Sequence, residues 1–458
     1  MLTSPDLSTD ELATLDERWF EEWRARELAR LDRAGLTYLD YTGASPHPAS
    51  LVAGELARLD QRVLGNPHSE HQPSRSATED IESARAAILD FLSADPGEYA
   101  VVLTANATAA CHLVAESYPW SHRCRLVLTA DNHNSVNGIA EYAQRAGSPV
   151  DRIPLGDHLA LEQADAALGS MRGPGLFAYP AQSNFSGSRH PISLVDTAHA
   201  SGLDVLLDAA AYLPTADLDL RAVKPAFVVL SLYKIIGYPA GLGALVARRD
   251  ALARLKRPWF SGGTVDWVSP SLGRHQLRPG VEAFEDGTPP FLIAGAVAPG
   301  LAIAREADRP RLRRHLGRLT KRLLDGLADL RLADGRPLVL IHGAPTPADR
   351  GATVSMTVLD GQGRAIPFWE VESAARSEGL AIRGGCFCNP GCAEKAFELT
   401  PATIGPCLDT LGGEFSIPGF VTCLGDRPVG AVRVSLGLGS LHRDVDRALA
   451  FLGTVAGR

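Results

Sequence analysis

A chain of 458 residues exceeds what one small core organises and points to two or three domains. With 45% hydrophobic and 21% charged residues the composition is that of a globular protein, and a formal charge of −8 argues against a nucleic-acid or anionic-membrane partner. No apolar run approaches the roughly 20 residues that a membrane-spanning helix needs.

The amino terminus, MLTSPDLSTDELATLDERW, is polar and acidic, unlike a secretory signal or an Arg-rich transit peptide. Residues 8–33 read as one helix: Ser8 and Glu11 make a capping-box pattern, and Leu12, Leu15, Trp19 and Trp23 recur at helical spacing. Gly35 stops it, and a short strand leads into the Gly/Pro loop around residues 42–48. From about residue 80 helices alternate with short apolar strands: YAVVLT, RLVLTA, GLFAYP, DVLLDA, AFVVLSL and GLGALVA. Strands apolar throughout suit a sheet covered on both faces, and their alternation with helices predicts a mostly parallel α/β sheet. After about residue 290, two helical stretches precede strand-like PLVLIHG, ATVSMTVLD and AVRVSLG, which read as a smaller α+β domain. The expected division is 1–44 as an N-terminal helix and strand packing on the small domain, 45–295 as the large domain and 296–458 as the small one. The seven cysteines (Cys111, Cys124, Cys386, Cys388, Cys392, Cys407 and Cys423) are odd in number and scattered, which fits a reducing cytosol better than a disulfide framework. A cytoplasmic location is the expectation.

Five of the 45 basic residues are lysines, so a lysine in a special place is informative. Lys234 lies in VVLSLYKIIGYPAGLGALV, beyond one apolar strand and before a Gly-rich turn. Arg cannot substitute for Lys in Schiff-base chemistry, because only an amine loses a proton and attacks a carbonyl. Alone, the same pattern suits a surface lysine. Asp208 ends the strand DVLLDA, which brings it to the same carboxyl edge of the sheet, where ligands of open α/β sheets bind. A buried carboxylate there calls for a cation, and a pyridinium nitrogen is one; alone, Asp208 could equally cap a turn. Asn106, Ala107 and Thr108 fall at a helix N-terminus suited to a phosphate, although many such loops begin this way. His133 and Asn184 follow two further strands, and His133 could stack on a flat ring. Together, these five strand-end positions make a constellation.

The segment IRGGCFCNPGC places Cys386, Cys388 and Cys392 in a Gly/Pro loop, with Arg383 just upstream. CxCxxxC supplies three sulfurs without an evident fourth ligand, so no metal is expected. A reactive thiolate on a mobile loop and plain free thiols both remain open.

These residues, with YLDYTGA, GNPHS, DNHNSV, LLDAAA, SLYKIIGYPAGLGAL, SGGTV, FEDGTPPF, RGGCFCNPGC and VRVSLG, are similar to a known pattern. The chain resembles fold-type I pyridoxal 5′-phosphate (PLP) enzymes of the class V aminotransferase and cysteine desulfurase superfamily, and within it the NifS-like domain of molybdenum cofactor sulfurases. The resemblance implies a PLP-dependent transferase fold, with a mostly parallel seven-stranded sheet in the large domain. It implies PLP on Lys234, which then shuttles protons, Asp208 on the pyridine nitrogen, His133 stacked on the ring and Asn184 at the ring hydroxyl. Ala107, Thr108 and Ser231 would hold the phosphate, with Thr264 reaching in from the second subunit of a homodimer. Arg383 would grip the substrate carboxylate, and Cys388 would carry a persulfide.

The implied activity is cysteine desulfuration to alanine, with sulfur passed to an acceptor protein. A PLP-dependent C–S lyase, aminotransferase or decarboxylating enzyme would need Lys234 and Asp208 but not Cys388. A non-catalytic binding scaffold would need none of them. Two departures stand out: Ala105-Asn106-Ala107-Thr108 replaces the usual Ser-Gly-Ala-Thr, and Ala211 stands where many cysteine desulfurases place Gln. The chain ends at Arg458, which leaves no room for the C-terminal domain of complete molybdenum cofactor sulfurases. A separate sulfur acceptor, or an amino-acid reaction other than desulfuration, is therefore expected.

Overall fold

The computed structural model describes residues 9–455. Its centre is a seven-stranded sheet in the order Tyr99–Thr104, Gly243–Arg248, Phe227–Ser231, Leu203–Asp208, Gly175–Pro180, Arg125–Thr129, Val150–Ile153. Successive side chains of a strand point to opposite faces, and here both faces are buried. Val101, Phe177, Val205, Val228 and Val246 belong to one apolar cluster, while their neighbours Val102, Ala178, Leu206, Val229 and Ala247 belong to a cluster on the opposite face. This accounts for strands that are apolar without alternation.

Gly243–Arg248 runs antiparallel to both neighbours, and the other pairings are parallel. An antiparallel return needs no long crossover. The chain therefore passes from Ser231 to Gly243 through the five-residue helix Leu232–Ile236 and a turn, with Lys234 inside this short reversal. All strands except Gly243–Arg248 end at one edge.

A four-stranded antiparallel sheet, in the order Val339–His342, Thr353–Val358, Ala431–Ser435, Arg383–Gly385, forms the second centre. The helix Arg309–Asp329 covers it, with Leu312, Leu316, Leu319, Leu323 and Leu327 buried at helical spacing. Asp308 caps that helix by accepting the Arg311 amide at 2.8 Å. Thr37–Tyr38 pairs in parallel with Leu380–Ala381.

Several elements differ from the sequence reading. The first helix is two helices, Thr9–Glu27 and Ala29–Arg33, broken at buried Leu28. The break lets Arg24 bond both Asp32, at 2.8 Å, and Asp444, at 2.5 Å. The Ser8 cap lies outside the described residues. The helical segment after His133 is likewise split at Gly138, into Asn134–Asn137 and Ile139–Arg145. The cysteines are not all free: Cys407 and Cys423 form a disulfide. Their helices, Pro401–Leu411 and Ile417–Cys423, are joined by a short turn that brings the two Cα atoms to 5.8 Å. Among the described residues, no helix is long and apolar enough to cross a membrane.

Candidate active site

At the shared edge of the seven-stranded sheet, one cavity is lined by Ala107, Thr108, His133, Asn184, Asp208, Ser231 and Lys234. These residues come from five separate strand ends, and the parallel topology brings them together. Gln182, which sequence reasoning passed over, lines the same cavity; its Nε2 donates to the Ala211 carbonyl at 3.0 Å.

The helix Ala107–Ser117 begins at Asn106, whose Oδ1 accepts the Ala109 amide at 2.9 Å. The asparagine that departs from the usual motif is thus the helix cap. The Ala107 amide donates to Ser231 Oγ at 2.9 Å, which ties this helix start to the strand before Lys234. Gly243 makes the approach possible, since a Cβ there would lie 2.6 Å from Asn106 Cα and from the Leu230 carbonyl oxygen. His133 caps the next helix by accepting the Ser135 amide on Nδ1 at 3.1 Å. Burial lowers its pKa; Asp208 opposes that, while Lys234 and Arg433 reinforce it.

Asp208 Oδ1 accepts the Ala210 amide at 2.9 Å. Lys234 is half-buried, and desolvation holds its amine below the ordinary lysine range; the Asp208 carboxylate opposes the shift, and the Arg433 and Arg383 charges add to it. Its helix ends at Gly237 in a left-handed conformation (φ 71°), packed so closely on the backbone of His47 that a Cβ would lie 2.5 Å away.

Cys388 and Arg383 lie on the segment that enters and follows the last strand of the four-stranded sheet, and are not part of the cavity wall. Phe387 and Cys388 are consecutive left-handed residues (φ 56° and 57°), a conformation that costs a non-glycine residue roughly 1–2 kcal/mol. Their carbonyls are pinned to the wall: Asn184 Nδ2 donates to Phe387 O, and the Asn134 amide to Cys388 O, both at 2.7 Å. Cys386 and Cys388 are exposed, whereas Cys392 is buried, with its Sγ 3.1 Å from Asp131 Oδ1. Burial pushes the Cys392 thiol far up, and the Asp131 charge adds to that. The three sulfurs thus divide between solvent and core. Gly391, within the Gly/Pro segment, is a packing glycine in the helix Pro390–Ala396, where a Cβ would collide with the Ala130 carbonyl.

Arg383 does not stand alone. Its Nε and Nη2 bond the Asp40 carboxylate at 2.9 and 2.6 Å, and Arg433 Nη2 takes the other oxygen at 2.9 Å. Arg433 also donates from Nη1 to Asn184 O at 2.8 Å and lies over the Phe387 ring. Asp40 and Arg433 were missed as site residues, although a charged residue within the apolar strand AVRVS was a readable signal. Two guanidiniums share one carboxylate, which leaves one positive charge for an anionic ligand. Thr264 is buried elsewhere, its hydroxyl closed on Ser261.

The residues present fit PLP. The helix start at Ala107 suits a phosphate, Asp208 offers a carboxylate to a protonated ring nitrogen, and Lys234 offers an amine that desolvation makes easier to deprotonate.

The sequence is 34% identical to the molybdenum cofactor sulfurase of Bos taurus, over 94% of this chain and 51% of that protein, and 33% identical to that of Solanum lycopersicum, over 94% and 56%. The chain thus spans about half the length of these curated relatives. In fold it is similar to a cysteine desulfurase from Thermococcus onnurineus, with a TM-score of 0.76 at 22% identity over 95% of this chain and 98% of that one. A cysteine desulfurase from Escherichia coli gives 0.73 at 19% identity, over 94% and 97%. The sequence model of the aminotransferase class-V family matches residues 37–448, and the chain belongs to that family.

Proposed function

We propose that the chain is a PLP-dependent cysteine desulfurase that retains the sulfur of its substrate as a persulfide on Cys388. The observation that carries this reading is the attachment of the cysteine loop to the Lys234 cavity, through Asn134 to Cys388 O and Asn184 to Phe387 O. A reaction that needs no protein thiol gives no reason for an exposed cysteine to be held there in a costly backbone conformation.

PLP, when bound, supplies an aldehyde that condenses with amines and a ring that accepts electrons from the substrate α-carbon. Ala107, Thr108 and Ser231 would hold its phosphate, Asp208 its ring nitrogen, His133 its face and Asn184 its hydroxyl. Thr264 of a second copy would complete the phosphate site, so the working assembly is a homodimer. Arg383, half exposed beside Asp40, binds the substrate carboxylate. Lys234 takes the α-proton, since desolvation lowers its pKa and makes the free amine more accessible than that of an exposed lysine. The Cys388 thiolate attacks the substrate sulfur, so an S–S bond forms as the C–S bond breaks; the bond pair stays with the carbon, which takes up a proton, and once Lys234 returns the α-proton the carbon skeleton leaves as alanine. The sulfur then passes to an acceptor protein, and the setting is the cytoplasm.

The test is product analysis with cysteine and with cysteine S-conjugates, for the native enzyme and for Cys388→Ala. Alanine and persulfide from the native enzyme, both lost in the variant, are expected. Pyruvate and ammonia formed at the native rate by the variant would replace this reading with a C–S lyase, and a protein that binds no PLP would replace it with a scaffold.

A further inference from the structure

The aspartate two residues before His133 has no part in the reaction as described, yet it is fully buried and heavily bonded. Asp131 Oδ2 meets His190 Nε2 at 2.7 Å, while Oδ1 accepts from Ser183 Oγ at 2.9 Å, Asn389 Nδ2 at 2.6 Å and Cys392 Sγ at 3.1 Å. Burial raises its pKa, but these donors outweigh burial and hold it below the usual carboxylate range. A buried carboxylate with four donors is a rigid anchor, because any shift of it strains several short hydrogen bonds that no water can replace.

Two of those donors, Asn389 and Cys392, belong to the segment that follows Cys388. Asn389 is itself fully buried and branches further: its Nδ2 reaches Asn184 Oδ1 at 3.0 Å, its Oδ1 caps the helix Pro390–Ala396 through the Cys392 amide at 3.2 Å, and its own amide closes on Cys386 O at 2.9 Å. Asn184 in turn donates to Phe387 O. An unbroken hydrogen-bonded path therefore runs from Asp131, in the large domain, through Asn389 and Asn184 to the carbonyl one residue before the exposed thiol. The two left-handed residues have no glycine to relieve them, so the bonds on either side must hold the turn.

The geometry points to Asp131 as the positioning residue of the Cys388 loop, acting through Asn389 to hold the Phe387–Cys388 turn against the Lys234 cavity. This rests on the reading of Cys388 as the nucleophile.

Asp131→Asn and Asn389→Ala in the holoenzyme test it; the second keeps the buried carboxylate and its histidine partner should the first fold poorly. Bound-cofactor absorbance, and its response to added alanine, should match the native enzyme in both. Hydrogen exchange should accelerate at least about tenfold in residues 386–392 and at Asn134, and stay unchanged in the strand Leu203–Asp208. The kcat for alanine release should fall at least roughly tenfold, with KM for cysteine within about threefold. Native exchange at the loop in both variants would overturn the proposal. So would accelerated exchange across the whole seven-stranded sheet, which would make the network a general stabiliser. Retained alanine release by Cys388→Ala would instead remove the persulfide reading, and loop exchange in the two variants would still decide whether Asp131 anchors the loop.

Discussion

Asp40 and Arg433 meet at 2.9 Å across the joint between the N-terminal segment and the four-stranded sheet, with side-chain exposures of 11% and 3%. Arg383 shares the same carboxylate but is 47% exposed. Removing one partner of a buried pair leaves an uncompensated charge, whereas an exposed pair is screened by water. Asp40→Asn should therefore cost about 3–5 kcal/mol of stability. Arg383→Ala should cost less than about 1 kcal/mol. Urea unfolding of the two variants measures the difference.

Arg383 should matter more to substrate than to the fold. Its guanidinium is half exposed, and Arg433 already compensates Asp40. Arg383→Gln should weaken cysteine binding by about 10–100-fold, the worth of a charge-assisted hydrogen bond at a partly shielded site. The KM for cysteine, or the affinity for alanine read from cofactor absorbance, reports it.

The desolvated Lys234 amine gives a pH signature in the cofactor-free protein. Its folded pKa lies below the unfolded value, so between the two the unfolded chain binds more protons, and stability attributable to this group rises with pH. Relative to Lys234→Met, the native chain should gain stability as pH rises from neutrality toward 10.5, the ordinary lysine value. Urea midpoints of both proteins at a series of pH values measure the gain, and the comparison cancels the tyrosines they share.

Gly243→Ala should loosen the cofactor with little effect on the catalytic groups themselves. The new Cβ would press on Asn106 Cα and displace the start of the helix Ala107–Ser117. Overpacking of this kind costs about 1–3 kcal/mol, and affinity for added PLP should fall roughly tenfold or more. Titration of the cofactor-free variant, followed by absorbance, tests it.

Alkylation of the native protein at mild pH should label Cys386 and Cys388 and spare Cys111, Cys124 and Cys392. The first two are exposed; the others are buried. Burial pushes the thiols of Cys111 and Cys392 far up, and that of Cys124, with help from Asp204, to about 11. Peptide mass mapping identifies the labelled positions.

The cavity wall was legible before any coordinates because strand periodicity and topology together dictate it. Once YAVVLT, RLVLTA, GLFAYP, DVLLDA and AFVVLSL are placed in one parallel set, their following residues must emerge at one edge, and His133, Asp208 and Lys234 go with them. The reversal of Gly243–Arg248 was not legible, because an apolar strand reads alike in either direction. Nor was the break at Leu28, since helical spacing continues through it while the demand for it comes from Asp444, which is 420 residues from Arg24.

The amino-acid order by itself determined six of the seven strands of the large sheet, the helix start at Asn106 and the chemical types gathered near its edge: one amine, one carboxylate, an anion-binding turn and a run of three cysteines. Those follow from hydrophobic period and local capping, which act over a few residues. Only the tertiary structure decided the pairings made across hundreds of residues: Asp40 between two arginines, Asp131 joined to Asn389, Cys407 bonded to Cys423 and Cys392 turned into the core. A buried charge or thiol takes its partner from whatever packing brings within about 3 Å, and distance along the chain carries no information about that.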